Sequence, residues 1–442
     1  MKFTVVSFLI TSLCTFAAEP ARVAPVKFTD TRLENGLRVL IAEDHYAPVF
    51  SIAVSYNVGS RDERPGRTGF AHLFEHMMFK GSEKVGPGEH FFLVFNNGGN
   101  MNGTTNADRT LYFETMPKNQ LDLALFLEAD RMRSLEITKE NLANQQEAVK
   151  EERRLGVDNR PYGPTYEKID QVAYDNFAYK HSVIGSMEDL NAATIDDVKE
   201  FFRVYYAPNN AVVALVGDLD TKTTLAKVRQ HFGKITRQPA PSAVDLNEPD
   251  QKEERRLTMQ DKLARLPQVL IAYKTPPGSS ADNTALTILG SILASGESSR
   301  LHQKLVKEKE AAVSVFAYPD TRPGTSLYQI MAMVRGGKTP QDAEALINEE
   351  IERLQKEPVT EQELKKARSM ARRGAIGSRE SSLNRAIRLA DDAVLYNDPN
   401  RLNTMLDKQL AVTAEDVQRV AKTYLRTTNR TVIHTMPAGR GN

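Results

Sequence analysis

The sequence predicts an α+β fold built twice, as two homologous domains, each a mostly antiparallel sheet with helices packed on it. Three observations lead there. At 442 residues the chain exceeds what one hydrophobic core serves and suits two domains of ordinary size. A Pro- and charge-rich stretch from Thr236 to Arg256, TRQPAPSAVDLNEPDQKEERR, has no apolar periodicity and reads as an exposed linker dividing the chain in half. The halves also resemble each other: TIDDVKEFFRVYYAPNNAVVALV from Thr194 aligns without gaps on TAEDVQRVAKTYLRTTNRTVIHT from Thr413. Thr194/Thr413, Asp197/Asp416, Val198/Val417, Tyr205/Tyr424, Asn210/Asn429 and Val213/Val432 coincide, each copy reading as a Thr-capped helix followed by a strand. A period of about 220 residues implies duplication of a whole domain, not a solenoid.

Taken in order, residues 1–18 form a signal peptide: Lys2, an apolar run from Phe3 to Phe16, then Ala17 and Ala18. The run is too short for a membrane span and lacks the arginines of a mitochondrial presequence, so export to the periplasm or medium is expected. The first domain is assigned to 19–240, the linker to 241–256 and the second domain to 257–442. Within the first domain GLRVLIAED, VFSIAVSYNVG and RTLYFETM read as strands, and Lys118 to Leu135 as an amphipathic helix. Strands and helices without strict βαβ alternation give α+β.

Composition narrows function. With 58 basic and 57 acidic side chains, nothing points to nucleic acid or another polyanion. The only cysteine, Cys14, lies in the signal segment. The remaining chain therefore excludes disulfides, thiolate metal sites and a cysteine nucleophile, leaving histidine and carboxylate as metal ligands.

One constellation carries chemistry. GRTGFAHLFEHMMFKGS holds His72, Glu75 and His76, and on a helix these i, i+3 and i+4 positions share a face. Phe70, Ala71, Leu73, Phe74, Met77, Met78 and Phe79 make the helix apolar nearly all round, hence buried. Three ionisable groups in such a place need partners, and a metal ion supplies them. His45, His90, His181, His231, His302 and His434 stand alone and read as surface or packing residues. A third ligand is expected from TKENLANQQEAVKEERRLG, a helix capped by Thr138, in which composition alone leaves Glu147, Glu151 and Glu152 open. GGNMNGTT, from Gly98, reads by composition as a hairpin turn.

H-x-x-E-H followed some 75 residues later by V-x-x-E on a helix resembles the pitrilysin/insulinase peptidases, nearest the processing-peptidase branch and its bacterial relatives. NGLRVLIAED, GGNMNGTTNADRTLY, YYAPNNAVVALVGD and SSRLHQKLVKEKEAAVSV extend the resemblance over essentially the whole mature chain. The resemblance implies one zinc ion per chain, zinc in preference to manganese or cobalt, held by His72, His76 and Glu152, with Glu75 as general base on water. It implies that the glycine-rich segment is an edge strand that pairs with extended peptides, placing Asn102 and Gly103 at the substrate. Where the family often has a glutamate seven residues before the third ligand, this chain has Gln145. Active members also use an Arg and a Tyr seven residues apart in the far half of a clamshell; the matching positions here are Lys307 and Ser314. That loss implies a heterodimer with a zinc-free homologous subunit that completes the clamshell. The alternatives are a self-sufficient homodimer and a non-catalytic scaffold.

Overall fold

The computed structural model describes residues 23–438 and contains two sheets; the signal segment 1–18 lies outside the described residues. The first sheet comprises β1 (Thr29–Arg32), β2 (Arg38–Glu43), β3 (Val49–Tyr56), β4 (Asn100–Thr105), β5 (Thr110–Pro117) and β6 (Ala211–Gly217). Its order is β1-β2-β6-β3-β5-β4, and only the β2/β6 pair is parallel. The second comprises β7 (Arg255–Asp261), β8 (Gln268–Thr275), β9 (Ala312–Asp320), β10 (Ser326–Val334) and β11 (Arg430–Pro437). Its order is β7-β11-β8-β10-β9, with only β7/β11 parallel. Laid over one another, β2, β6, β3, β5 and β4 match β7, β11, β8, β10 and β9, so five strands are duplicated in order and β1 is an addition to the first sheet.

The duplication reaches individual hydrogen bonds. Thr194 and Thr413 each cap their helix in a reciprocal box with the aspartate three residues on. The Asn210 amide donates to the carbonyls of Tyr205 (2.9 Å) and Asn57 (3.2 Å); Asn429 donates to those of Tyr424 and Lys274, both at 2.8 Å. Each asparagine thus ties the end of a helix to the end of a central strand.

Both faces of each sheet are covered, which is why RVLIAE and QVLIAYKT are nearly continuous apolar runs. One face of the first sheet, with Val39, Ile41, Ile52 and Val54, packs on the first half's own helices. Its other face, with Leu40, Ala42, Ala53 and Val216, is covered by Ala386, Leu389, Ala390 and Ala393 of helix Ser382–Tyr396, from the second half. In return, Ile169 and Ala173 of helix Gly163–Ala173 pack on Leu270, Ala272, Leu327 and Ile433 of the second sheet. Burying a leucine or isoleucine contributes roughly 1.5–3 kcal/mol. Separating the halves would expose several such side chains at once, so they stand as one body.

The connection between halves carries no helix or strand until β7 begins at Arg255, as its Pro-rich composition implies. It is not exposed throughout, however. Glu248 forms a buried ion pair with Lys274 (2.6 Å) and accepts the backbone N–H groups of Asp175 (2.8 Å) and Asn176 (2.9 Å). The strap is fastened to both halves. A second departure is the glycine-rich segment, which is strand β4 and not a turn. The turn falls later, at Asn106–Arg109, where the Asn106 side chain accepts the N–H groups of Asp108 and Arg109.

Candidate metal centre

Helix Phe70–Met77 has no capping side chain of its own; its N-cap is Gly69, at φ 83°. The cap comes from outside. The wholly buried Glu63 carboxylate accepts the N–H groups of Gly69 (2.9 Å) and Ala71 (2.8 Å), two of the helix's orphan donors, and lies 3.0 Å from His181 Nε2. Burial pushes the Glu63 carboxyl up, against His181 and the two N–H groups. Burial alone would pull His181 down, but Glu63 and two backbone carbonyls outweigh it and hold the imidazole above its ordinary value. Gly69 is also forced by space: a Cβ there would stand 2.5 Å from the Ile184 carbonyl oxygen, where the loop ending in Gly185 crosses the helix start. The far side of the helix is fixed by Phe74, whose ring lies 4.3 Å from Tyr206 and 5.5 Å from Phe201, centroid to centroid.

The partner helix, Lys139–Arg153, is capped by the Thr138 hydroxyl, which accepts the Asn141 N–H (3.1 Å). Val149 and Gln145 are buried; with Glu152 they fall at i−3 and i−7, one face of the helix. The three glutamates left open by composition separate here: Glu147 is exposed and paired with Lys150, and Glu151 is paired with Arg154 (2.8 Å). Glu152 alone meets the histidines. Its neighbour Arg153 donates to the Gly185 carbonyl (2.7 Å) and binds Glu167 (2.7 Å). The loop at Gly185 therefore fastens the start of one ligand helix and the end of the other.

His72 Nε2 lies 3.6 Å, and His76 Nε2 3.3 Å, from Glu152 Oε2, and the three donor atoms all fall within 4.8 Å of one another. Hydrogen bonds would be shorter, about 2.7–3.2 Å. Around one zinc with bonds of about 2.0–2.2 Å, tetrahedral ligand atoms stand about 3.4 Å apart, close to the separation of each imidazole from Glu152. The buried His72 Nδ1 has no hydrogen-bond partner, so no protein group satisfies either ring nitrogen of this imidazole. Two imidazoles and a carboxylate with one coordination position left over fit zinc. Burial, with His76 adding and Glu152 opposing, lowers His72 to about 4, leaving the neutral ring a ligand needs. Contact with His76 is the main influence holding Glu152 below its ordinary value.

Glu75 is buried beside this triad but not in it. The Thr105 hydroxyl donates to its Oε2 (2.6 Å), and a Cβ on Gly103 would stand 3.1 Å from its Cγ. A side chain there would crowd the carboxylate, because β4 runs directly against it. Burial raises the Glu75 carboxyl, with Thr105 and His76 opposing. Asn102 is exposed on β4, the outermost strand of its sheet, and its side chain accepts the Gly103 N–H (2.9 Å). Lys307 is exposed in the π-helical turn His302–Glu308, and Ser314 faces Met333 across β9/β10. Neither lines the cleft of about 410 Å³ that Glu152 borders, where Val157, Arg160, Tyr166 and Glu167 do.

Sequence reasoning missed Glu63, Thr105 and Arg153. It also misread three histidines as isolated: His90, His181 and His434 are largely buried and paired with Glu114 (3.1 Å), Glu63 (3.0 Å) and Glu344 (2.8 Å). All three partners are distant in sequence, so no local pattern announces them.

The geometry thus gives a histidine–carboxylate cluster that could hold a metal ion, on a duplicated α+β scaffold. Two family models match, "Insulinase (Peptidase family M16)" over residues 38–186 and "Peptidase M16 inactive domain" over 192–371. The chain belongs to the insulinase family of peptidases, M16. It is 32% identical over 417 residues to the zinc protease PqqE of Helicobacter pylori, with 93% of each chain covered. The crystal structure of a protease from Helicobacter pylori matches with a TM-score of 0.90 at 30% identity, covering 94% of this chain and 100% of that one. The periplasmic protease PqqL of Escherichia coli shares the fold, with a TM-score of 0.76 at 16% identity over 94% of this chain and 48% of that one.

Proposed function

We propose that this chain is a zinc-dependent endopeptidase acting on peptides or unfolded polypeptides after export to the periplasm or medium. The observation that carries the reading is the 3.3–3.6 Å convergence of His72, His76 and Glu152 with Glu75 held beside them against an edge strand. His72, His76 and Glu152 hold one zinc per chain. Zinc, when bound, supplies Lewis acidity toward water and the scissile carbonyl. The chain's own groups do the rest. An extended peptide pairs with the free edge of β4 at Asn102 and Gly103, which brings its backbone past Glu75. Glu75 Oε1 takes the proton of the attacking water and returns it to the leaving amine nitrogen, while Thr105 holds the other oxygen in place. The raised pKa of the Glu75 carboxyl suits a group that must both accept and release a proton.

The missing Arg/Tyr pair supports assembly with a homologous zinc-free subunit that supplies it and closes the second half of a clamshell. That the chain's fold spans about half the length of PqqL fits such a division. The test is hydrolysis of a quenched fluorescent peptide by the zinc-loaded chain, alone and with a co-encoded zinc-free homologue. Addition of the homologue should raise the rate about 10²–10³-fold, the usual contribution of an oxyanion donor. Glu75→Gln should remove about 10²–10⁴ of the rate while keeping the zinc. Full activity of the chain alone would establish the self-sufficient enzyme instead. A zinc-loaded pair that cleaves nothing would leave a scaffold.

A further inference from the structure

Outside the metal centre the first half buries a second set of ionisable groups. His90 comes from helix Glu89–Asn96, Glu114 from β5, and Glu128 and Arg131 from helix Leu121–Arg133. Side-chain exposure is 4% for His90, 0% for both glutamates and 2% for Arg131. Arg131 Nε donates to Glu128 Oε2 at 3.0 Å and a second guanidinium nitrogen binds Oε1; His90 Nε2 lies 3.1 Å from Glu114 Oε1. The donor atoms of His90, Glu114 and Glu128 cluster within 4.8 Å, a spacing that would suit a cation. Arg131 already supplies the positive charge. Burial raises both carboxyls, Glu128 to about 7, and lowers His90 to about 3.

What Arg131 touches gives it a function. Its guanidinium carbon lies 4.4 Å from the Tyr112 ring centroid and 5.2 Å from that of Phe79. Tyr112 is the β5 residue paired across to Gly103 of β4. Phe79 stands two residues past the end of the zinc helix, its N–H donating to the His76 carbonyl (3.2 Å). The guanidinium is therefore wedged between the helix exit and the strand pair. Glu75 occupies the gap between that same helix and Gly103, its Cγ 3.1 Å from where a Cβ on Gly103 would stand and its Oε2 2.6 Å from the Thr105 hydroxyl that donates to it. A narrower gap would drive β4 into Glu75, and a wider one would break the Thr105 bond.

We propose that Arg131, anchored by Glu128, is a positioning residue for Glu75: as a spacer it sets the distance between the zinc helix and the β4/β5 pair. The proposal rests on the reading of Glu75 as general base. Arg131→Met alone strands two buried carboxyls and threatens folding, so the decisive variant is Arg131→Met/Glu114→Gln/Glu128→Gln, which removes the charges together at similar volume. Arg131→Lys keeps the charge and loses the planar stack.

In the zinc-loaded triple variant we expect one zinc per chain, kcat lower by about 10- to 100-fold and KM within about threefold of the parent. Amide exchange across residues 100–105 should be at least about tenfold faster, and Arg131→Lys should fall between parent and triple variant on both readouts. A triple variant with parental kcat and parental exchange over 100–105 would overturn the proposal. If the parent itself cleaves no peptide, or Glu75→Gln cleaves as fast, the endopeptidase reading falls. Exchange over 100–105 in the triple variant then still decides whether Arg131 sets the strand.

Discussion

In the first half the helix that follows β3, Phe70–Met77, carries His72, Glu75 and His76; in the second the helix that follows β8, Asp282–Ala294, reads DNTALTILGSILA, without histidine or glutamate. The partner helices diverge in the same way. Thr138 and Thr360 cap them alike, accepting the N–H three residues on, and a leucine four residues past each cap is buried. Counting from those caps, the position of Glu152 is held in the second half by Gly374. The scaffold therefore persists with neither histidine nor carboxylate at these positions, so the His72/His76/Glu152 cluster is a graft on the fold and not a requirement of it.

Buried charge differs between the halves as well. In the first half two carboxyls, Glu114 and Glu128, share one guanidinium, and burial dominates, raising Glu128 to about 7. In the second, burial of Glu344 is outweighed by His434 (2.8 Å), Arg256 (3.1 Å) and Arg430 (3.1 Å), and its carboxyl is held down to about 2. Burial wins in one half and ion pairing in the other.

Two predictions sharpen this comparison beyond those attached to Glu75 and Arg131. The larger concerns how each helix is started. Glu63→Ala strips the outside cap from Gly69 and Ala71 and leaves His181 without its carboxylate, which should destabilise the protein by about 1–3 kcal/mol in urea denaturation. Asp282→Ala, at the corresponding helix start in the second half and more exposed, should cost only about 0.3–1 kcal/mol. Equal losses would erase the contrast.

The smaller effect is on pH. Folding raises the Glu128 carboxyl from 4.5 to about 7, so the folded chain binds more protons than the unfolded one across that window, and this contribution is lost as the pH rises toward 7. Glu344 has the opposite sign: its contribution is present above 4.5 and lost as the pH falls from 4.5 to about 2. Stability measured against pH should flatten on the acid side in Glu344→Gln and between pH 4.5 and 7 in Glu128→Gln. Superimposable profiles for the two variants would contradict the assignment.

Local pattern made part of this molecule legible. The apolar runs of β2, β3, β5 and β6 and the Thr-initiated helices follow from rules acting within a few residues, and so does the common face of His72, Glu75 and His76. The duplication was readable because Asn210 and Asn429 perform the same tie and keep the same neighbours. What escaped depends on long-range pairing. β4 is rich in Gly and Asn, with Glu75 crowding the position of Gly103, and that composition mimics a turn. The covering of each sheet by the other half's helix leaves no mark, since a strand buried on both faces looks the same whichever helix buries it. The choice of Glu152 over Glu147 and Glu151 turns on which carboxylate meets His72 and His76, about 80 residues away, a contact that composition within the helix does not show.

The proposed zinc is a single ion gripped by two helices of the first half only. Anomalous diffraction at the zinc edge, with metal content measured on the same protein, tests it directly. One zinc per chain within bonding distance of His72 Nε2, His76 Nε2 and Glu152, lost in Glu152→Gly, is the predicted result. Zinc retained at full stoichiometry in that variant, or density elsewhere in the chain, would contradict it.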